Sequence, residues 1–236
     1  MKRYIIFIFL VFFSIALKAQ DFSDYNYSQF AIGGGFSYIR GYTNLNEQAN
    51  HLAANVNLTY YLSPYIPVAA ELQAGRLSGG SIVTDPYQRA YTNNYAALMV
   101  HADIQLGQLI NYRYSDFLDA LRGFYIGSGV GYIDDNNKVQ RTAISDPSYV
   151  FPGTDHSIDL MVPLRFGYEF KFFDSFDLPA FRITISYEHN LVFGEGLDGY
   201  DDPSSRFKNN NIDQYRQISI GFKYDFGSRT SFTKLQ

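Results

Sequence analysis

Between residues 28 and 226 the chain alternates apolar positions with polar or small ones in eight separate runs. The last run, Gln214–Gly227, shows this most clearly. Arg216, Ile218, Ile220, Phe222, Tyr224 and Phe226 share one parity, and Gln217, Ser219, Gly221, Lys223 and Asp225 share the other. A period of two belongs to a strand whose two faces meet unlike surroundings. The same pattern predicts strands over Ser28–Ile39, His51–Leu62, Pro67–Leu77, Asn94–Leu106, Gly123–Ile133, Ser157–Phe172 and Ala180–Phe193.

The connections alternate too. Arg40–Asn50, Ser78–Asn93, Asp134–His156 and Gly194–Asp213 are long and rich in Asn, Asp and Gly, whereas Ser63–Ile66 and Phe173–Pro179 are short, with Pro or Asp turn residues. Long loops at one end and tight turns at the other suit an up-and-down barrel. Gly107–Arg122 departs from the alternation. Within it, apolar residues at helical spacing behind Ser115 predict a short amphipathic helix over Ser115–Arg122, at the turn end.

Composition decides which faces are buried. There are 21 Tyr and 21 Phe and no Trp, so aromatics make up 18% of the chain, yet its overall hydropathy is slightly polar. A soluble sandwich or a lipocalin-like barrel would turn its apolar faces inward and show a mixed charged surface. Here the polar faces hold glycines and isolated charges, and the apolar faces carry Tyr60, Tyr132, Tyr168, Tyr187, Tyr224 and Phe226, as expected of an interfacial girdle. The apolar faces are therefore assigned to lipid and the polar ones to a narrow lumen. The fold class is all-β, an eight-stranded antiparallel transmembrane up-and-down β-barrel.

On these runs, from Ser28 to Phe226, the chain resembles the small eight-stranded outer-membrane β-barrel proteins. These include the membrane domain of the OmpA and OmpX families and the porin-family barrels of Bacteroidota. The resemblance implies an outer-membrane location and says little about role. Two departures stand out. Phe226 is followed by ten further residues, and no peptidoglycan-binding domain follows the barrel.

The N-terminus agrees with export. Lys2 and Arg3 precede an apolar stretch from Tyr4 to Leu17, and Leu17-Lys18-Ala19 resembles a cleavage site. The stretch is too short for an anchor helix. The expected organisation is a signal peptide over 1–19, a periplasmic segment over 20–27, the barrel over 28–226 and a periplasmic tail over 227–236. After cleavage 16 basic residues stand against 23 acidic, a formal charge of −7, which gives no electrostatic reason to bind nucleic acid. With no cysteine there is no disulfide framework, lipid-modified cysteine or thiolate metal site.

The lumen-facing parity carries Glu71, His101, Asp103, Arg165, Glu169, Lys171, Arg182, Glu188, Lys223 and Asp225. Buried charges must be paired, so these residues predict a salt-bridged core that plugs the barrel. If the sixth and seventh strands pair symmetrically about their turn, Glu169 faces Arg182. Ser186, Glu188 and His189 suggest a hydrolase set, but Ser186 and His189 have opposite parity and cannot form a local nucleophile–base pair. Glu195, Asp198, Asp201 and Asp202 offer oxygen ligands for Ca²⁺, without EF-hand spacing. Tyr149, Phe151, Tyr200 and Phe207 are either a contact surface on the loops or the packing of loops on one another. The expected function is that of a non-enzymatic barrel without cofactor, acting in envelope integrity, in surface contact or as a subunit of an assembly. Its expected partners are outer-membrane lipid and a protein docking on the loops or the helix. An enzyme acting on lipid or peptide and a narrow solute channel are the alternatives.

Overall fold

The computed structural model describes residues 25–112, 115–201 and 212–232. The expected signal peptide, Asp202, Phe207 and the last four residues lie outside them. Eight strands, β1 (Tyr25–Tyr42), β2 (Asn50–Ser63), β3 (Ile66–Gly80), β4 (Ala90–Gln105), β5 (Phe124–Val139), β6 (His156–Phe173), β7 (Pro179–Phe193) and β8 (Gln214–Phe232), pair in sequence order, and β8 closes on β1. All eight pairings are antiparallel. Between β4 and β5 lie two short helices, α1 (Leu106–Leu109) and α2 (Asp116–Leu121). Ser115 is the residue before α2, as its sequence suggests, but its side chain makes no capping bond.

The polarity is inverted relative to a soluble protein. Phe36, Leu52 and Ile126 on the outer wall are 70, 72 and 70% exposed, while Arg182 and Glu188 inside are 0 and 1% exposed. Water would penalise that wall and lipid would not, since a barrel leaves no backbone edge unpaired in hydrocarbon. The barrel is therefore a transmembrane one. Toward the turn end its outer wall carries aromatics packed ring against ring. Phe30 lies 5.2 Å from Tyr60 and 6.0 Å from Phe226, Phe181 lies 4.6 Å from Phe172 and 5.7 Å from Phe222, and Phe124 lies 4.8 Å from Tyr168. These rings include Tyr60, Tyr168 and Phe226 of the girdle that the sequence pattern anticipates.

Several strand ends and one register differ from the sequence reading; β3 runs on to Gly80 and β4 already starts at Ala90. The wall begins at Tyr25 and ends at Phe232, which are register partners across a bulge between Ser28 and Phe30. Residues 25–27 and 227–232, expected outside the barrel, thus belong to it, and Phe232 packs edge-on against Tyr65, 6.1 Å between ring centroids. β5 runs six residues further than its alternation does, because Asp134–Val139 pair with β4 up to Tyr91↔Val139. Finally, Glu169 faces Thr184, and Arg182 faces Lys171. A bulge between Phe172 and Phe173 offsets the register. In the turn beyond it, Asp174 Oδ1 accepts from the N–H groups of Phe176 and Leu178, at 2.8 and 3.0 Å.

Candidate functional site: a lumen filled in three layers

The ten charged or ionisable residues assigned to the lumen all have the inward parity, and eight of them are fully buried, with Arg165 and Lys171 partly so. They form two linked groups. In the first, Arg182 binds Glu169 through Nη1 at 2.8 Å and Asp225 through Nη2 at 2.7 Å, while its Nε donates to both Asp225 oxygens. Its guanidinium lies 4.0 Å over the Tyr61 ring. Lys223 reaches the other Glu169 oxygen at 3.3 Å, and Gln105 links Glu169 to Lys171 with two bonds of 2.8 Å. The diagonal contact of Arg182 with Glu169 replaces the directly opposed pair expected from sequence.

In the second group Arg165 joins Asp103, at 3.2 Å, to Glu188. His101 lies between Glu71 and Asp103, its ring nitrogens 3.8 and 3.6 Å from their carboxylates. Glu188 continues upward through Gln217 and Gln73 to the hydroxyls of Tyr95 and Tyr215. A space of about 30 Å³ lies among these side chains, room for roughly one water. Glycine makes the packing possible: a Cβ on Gly129 would collide with the Val100 carbonyl and the His101 side chain across the β4–β5 ladder. An eight-stranded barrel has an interior only wide enough for side chains, and here they occupy it.

Below this layer Tyr27, Ala31 and Tyr61 are buried together, with Phe232 against them. Tyr65 donates to Tyr112 at 2.7 Å, and Lys171 sits 4.1 Å over the Tyr65 ring. Above it the lumen holds an apolar cluster, with Asn93, Asp135, Asn137 and Asp213 buried beside it. Ile39, Leu77, Ile133, Met161, Val192 and Tyr215 from the strands form one cluster with Leu45, Phe151, Leu197 and Tyr200 from three loops. Phe151 and Tyr200 meet edge to face at 5.7 Å. The Tyr200 hydroxyl bonds the carbonyls of Ala90 and Gln140, and the guanidiniums of Arg89 and Arg141 each lie 5.7 Å from its ring. The cap is pinned across strands as well: Asn93 bonds the Leu197 carbonyl at 2.9 Å, and Asn137 bonds that of Gly196 at 2.6 Å.

The sequence matches no protein-family model and no curated protein. Solved structures with a similar barrel include Neisserial surface protein A (12% identity, 84% of this chain and 98% of that one, TM-score 0.46). The attachment invasion locus protein Ail of Yersinia pestis is another (13%, 84% and 99%, TM-score 0.46). A third is the outer membrane protein OprG of Pseudomonas aeruginosa (13%, 87% and 100%, TM-score 0.37). At these values the likeness carries nothing about role.

The structure separates several candidates that the sequence places together. Ser186 lines the small lumen space and His189 lines a recess on the outside of the wall, so the barrel wall stands between them. Of the acidic residues in the last loop, Asp198 is buried and Glu195 and Asp201 are exposed. Among the described residues no group of three or more His, Cys, Asp or Glu could hold a metal ion. Phe151 and Tyr200 are 2 and 3% exposed and Tyr149 packs beside them. They are the inner lining of the cap, because loops closing a barrel mouth need apolar residues to exclude water from it. Exposed apolar residues of the described loops at this end are instead Ile82, Val83, Tyr87, Ile144, Val150 and Ile212, which no periodicity marks.

The cap contains its own titratable group. Burial pushes the Asp198 carboxyl up to about 7; the Tyr200 N–H, Thr43 and Arg89 pull it down, and Glu195 adds to the rise. Asp213 beside it is also raised, by burial and by Asp198 and Glu195. Below the ordinary value of 3.8 the carboxyl is protonated whether the loop is open or closed, and closure loses nothing. As pH rises toward 7 it ionises in the opened loop first, so closure weakens across that window. Amide-exchange protection at Leu197–Tyr200, corrected for the intrinsic rate, should be greatest near pH 4 and fall toward pH 7. Asp198→Asn should flatten the profile, and an equally steep profile in that variant would exclude Asp198 as its source.

Proposed function

We propose that this chain is a bacterial outer-membrane protein, with its loops outside and its tight turns in the periplasm. It acts through its surface, in envelope integrity, in contact with other surfaces or as a subunit of a membrane assembly. It neither passes solute nor catalyses. One observation carries the reading: the lumen is occupied along its length by an aromatic floor, a charged middle and an apolar cap, so the groups free to meet a partner are outside. On the loop side these are Ile82, Val83 and Val150, and on the turn side Phe117 of α2 and Phe176 of the β6–β7 turn, 71 and 74% exposed. Expected partners are outer-leaflet lipid and a protein docking on either end.

Recordings from the purified barrel in a planar bilayer test the closed lumen. Baseline current at moderate voltage is the expected result. Steady unitary steps would replace this reading with that of a narrow channel.

A further inference from the structure

The loop-end rim of the outer wall carries a cluster that the sealing of the lumen does not explain. Arg40 on β1 and Arg216 on β8 are register partners, and His189 on β7 is the partner of Arg216 on its other side. All three have the parity of the lipid-facing residues. One step nearer the membrane centre on the same face are Tyr38, Ile218 and Tyr187. Three neighbouring strands therefore set two guanidiniums and an imidazole in one row above the apolar belt.

Like charges directly opposed across a ladder repel. Inside the barrel Arg165 and Arg182 each hold two carboxylates. Arg40 and Arg216 have no ion-pair partner among the described residues, and Arg40 Nε is buried without a hydrogen bond. The surroundings orient the row. The Arg216 guanidinium lies 5.3 Å over the Tyr42 ring, and His189 is 2.7 Å from Gln214 Oε1 and 6.3 Å from the Tyr42 ring centroid. Beside it is a recess of about 320 Å³ bounded by Tyr42, Thr43, Tyr187, His189, Ile212 and Gln214.

Paired guanidiniums are matched by the oxygens of a phosphate, which takes parallel N–H bonds from them. The wall directly below suits hydrocarbon. We propose that Arg40 and Arg216, flanked by His189, bind the phosphate of an outer-leaflet lipid whose acyl chains lie along Tyr38, Ile218 and Phe36. The site requires a barrel standing in a bilayer, and the choice of leaflet rests on the orientation proposed above.

Arg76 supplies an internal control. It is a third outward-facing arginine toward the loop end, on β3, and its Nε is already bonded to Asn94 Oδ1 at 3.0 Å. The experiment is native mass spectrometry of the full chain in detergent, titrated with phosphorylated lipid A. Retention of one lipid is expected. Enzymatic removal of the lipid's phosphates, or the change R40Q/R216Q, should weaken retention by about tenfold or more, the worth of at least one charge-assisted bond. R76Q should retain lipid as the unchanged chain does. A heat-dependent gel shift verifies folding of each variant, and R216Q alone gives the same readout should the double variant not fold. The absence of that shift in the unchanged chain would instead contradict the membrane barrel itself. Equal retention by R40Q/R216Q and R76Q would overturn the site. Full displacement of the lipid by millimolar inorganic phosphate would overturn the lipid as its occupant.

Discussion

Arg182→Met should lower the unfolding free energy of the barrel by about 3–5 kcal/mol, the usual consequence of removing one partner from a buried ion network. Arg182 is fully buried and holds two carboxylates at 2.7 and 2.8 Å. Methionine fills much of the same volume, so the loss comes from charge and not from a cavity. Glu169 keeps Lys223 as a partner, while Asp225 has no other ion pair among the described residues. The double variant Arg182→Met with Asp225→Asn should therefore be less destabilised than the single one. Urea titrations of the protein folded in lipid vesicles measure both. A single variant within about 0.5 kcal/mol of the unchanged chain, the scatter of ordinary surface substitutions, would mean that the charges do not organise the lumen.

Ile220→Arg tests the opposite face. Ile220 is 58% exposed and lies mid-wall between Phe36 and Ile185. On a soluble protein an exposed position of this kind accepts arginine almost without cost. In a bilayer the guanidinium would enter hydrocarbon at a cost of about 2–4 kcal/mol near the midplane. The same urea titration gives the answer, and a neutral result would argue for water outside the wall.

The architecture was legible because lipid outside and charge inside impose strict parity, as on β8. Legibility failed where that contrast ends. Near the loop end Ile39 follows Tyr38, Ile133 follows Tyr132 and Val192 lies between Leu191 and Phe193, so both faces are apolar and alternation disappears. Those inward residues serve the cap, whose other half comes from Leu45, Phe151, Leu197 and Tyr200, far away in sequence. The polar end of β5 was invisible for a related reason. Asp135 and Asn137 pair with Asn93 and the Gly196 carbonyl in place of lining a bilayer. The charged layer was legible in its residues but not in its register, since the asymmetric β6–β7 turn and the bulge at Phe172–Phe173 together shift the pairing by two residues and make an expected opposed pair diagonal. The row of Arg40, Arg216 and His189 spans three strands, two of them joined only by barrel closure. No local pattern brings it together.

The most direct test of the inside-out barrel uses the absence of native cysteine. Single cysteines placed one at a time from Ile218 to Tyr224 on β8 can be labelled with a fluorophore and read in vesicles of brominated lipid. Quenching is expected at 218, 220, 222 and 224 and not at 219, 221 and 223. Uniform quenching, or quenching at the odd positions, would contradict a wall with lipid on its apolar face and a filled lumen behind it.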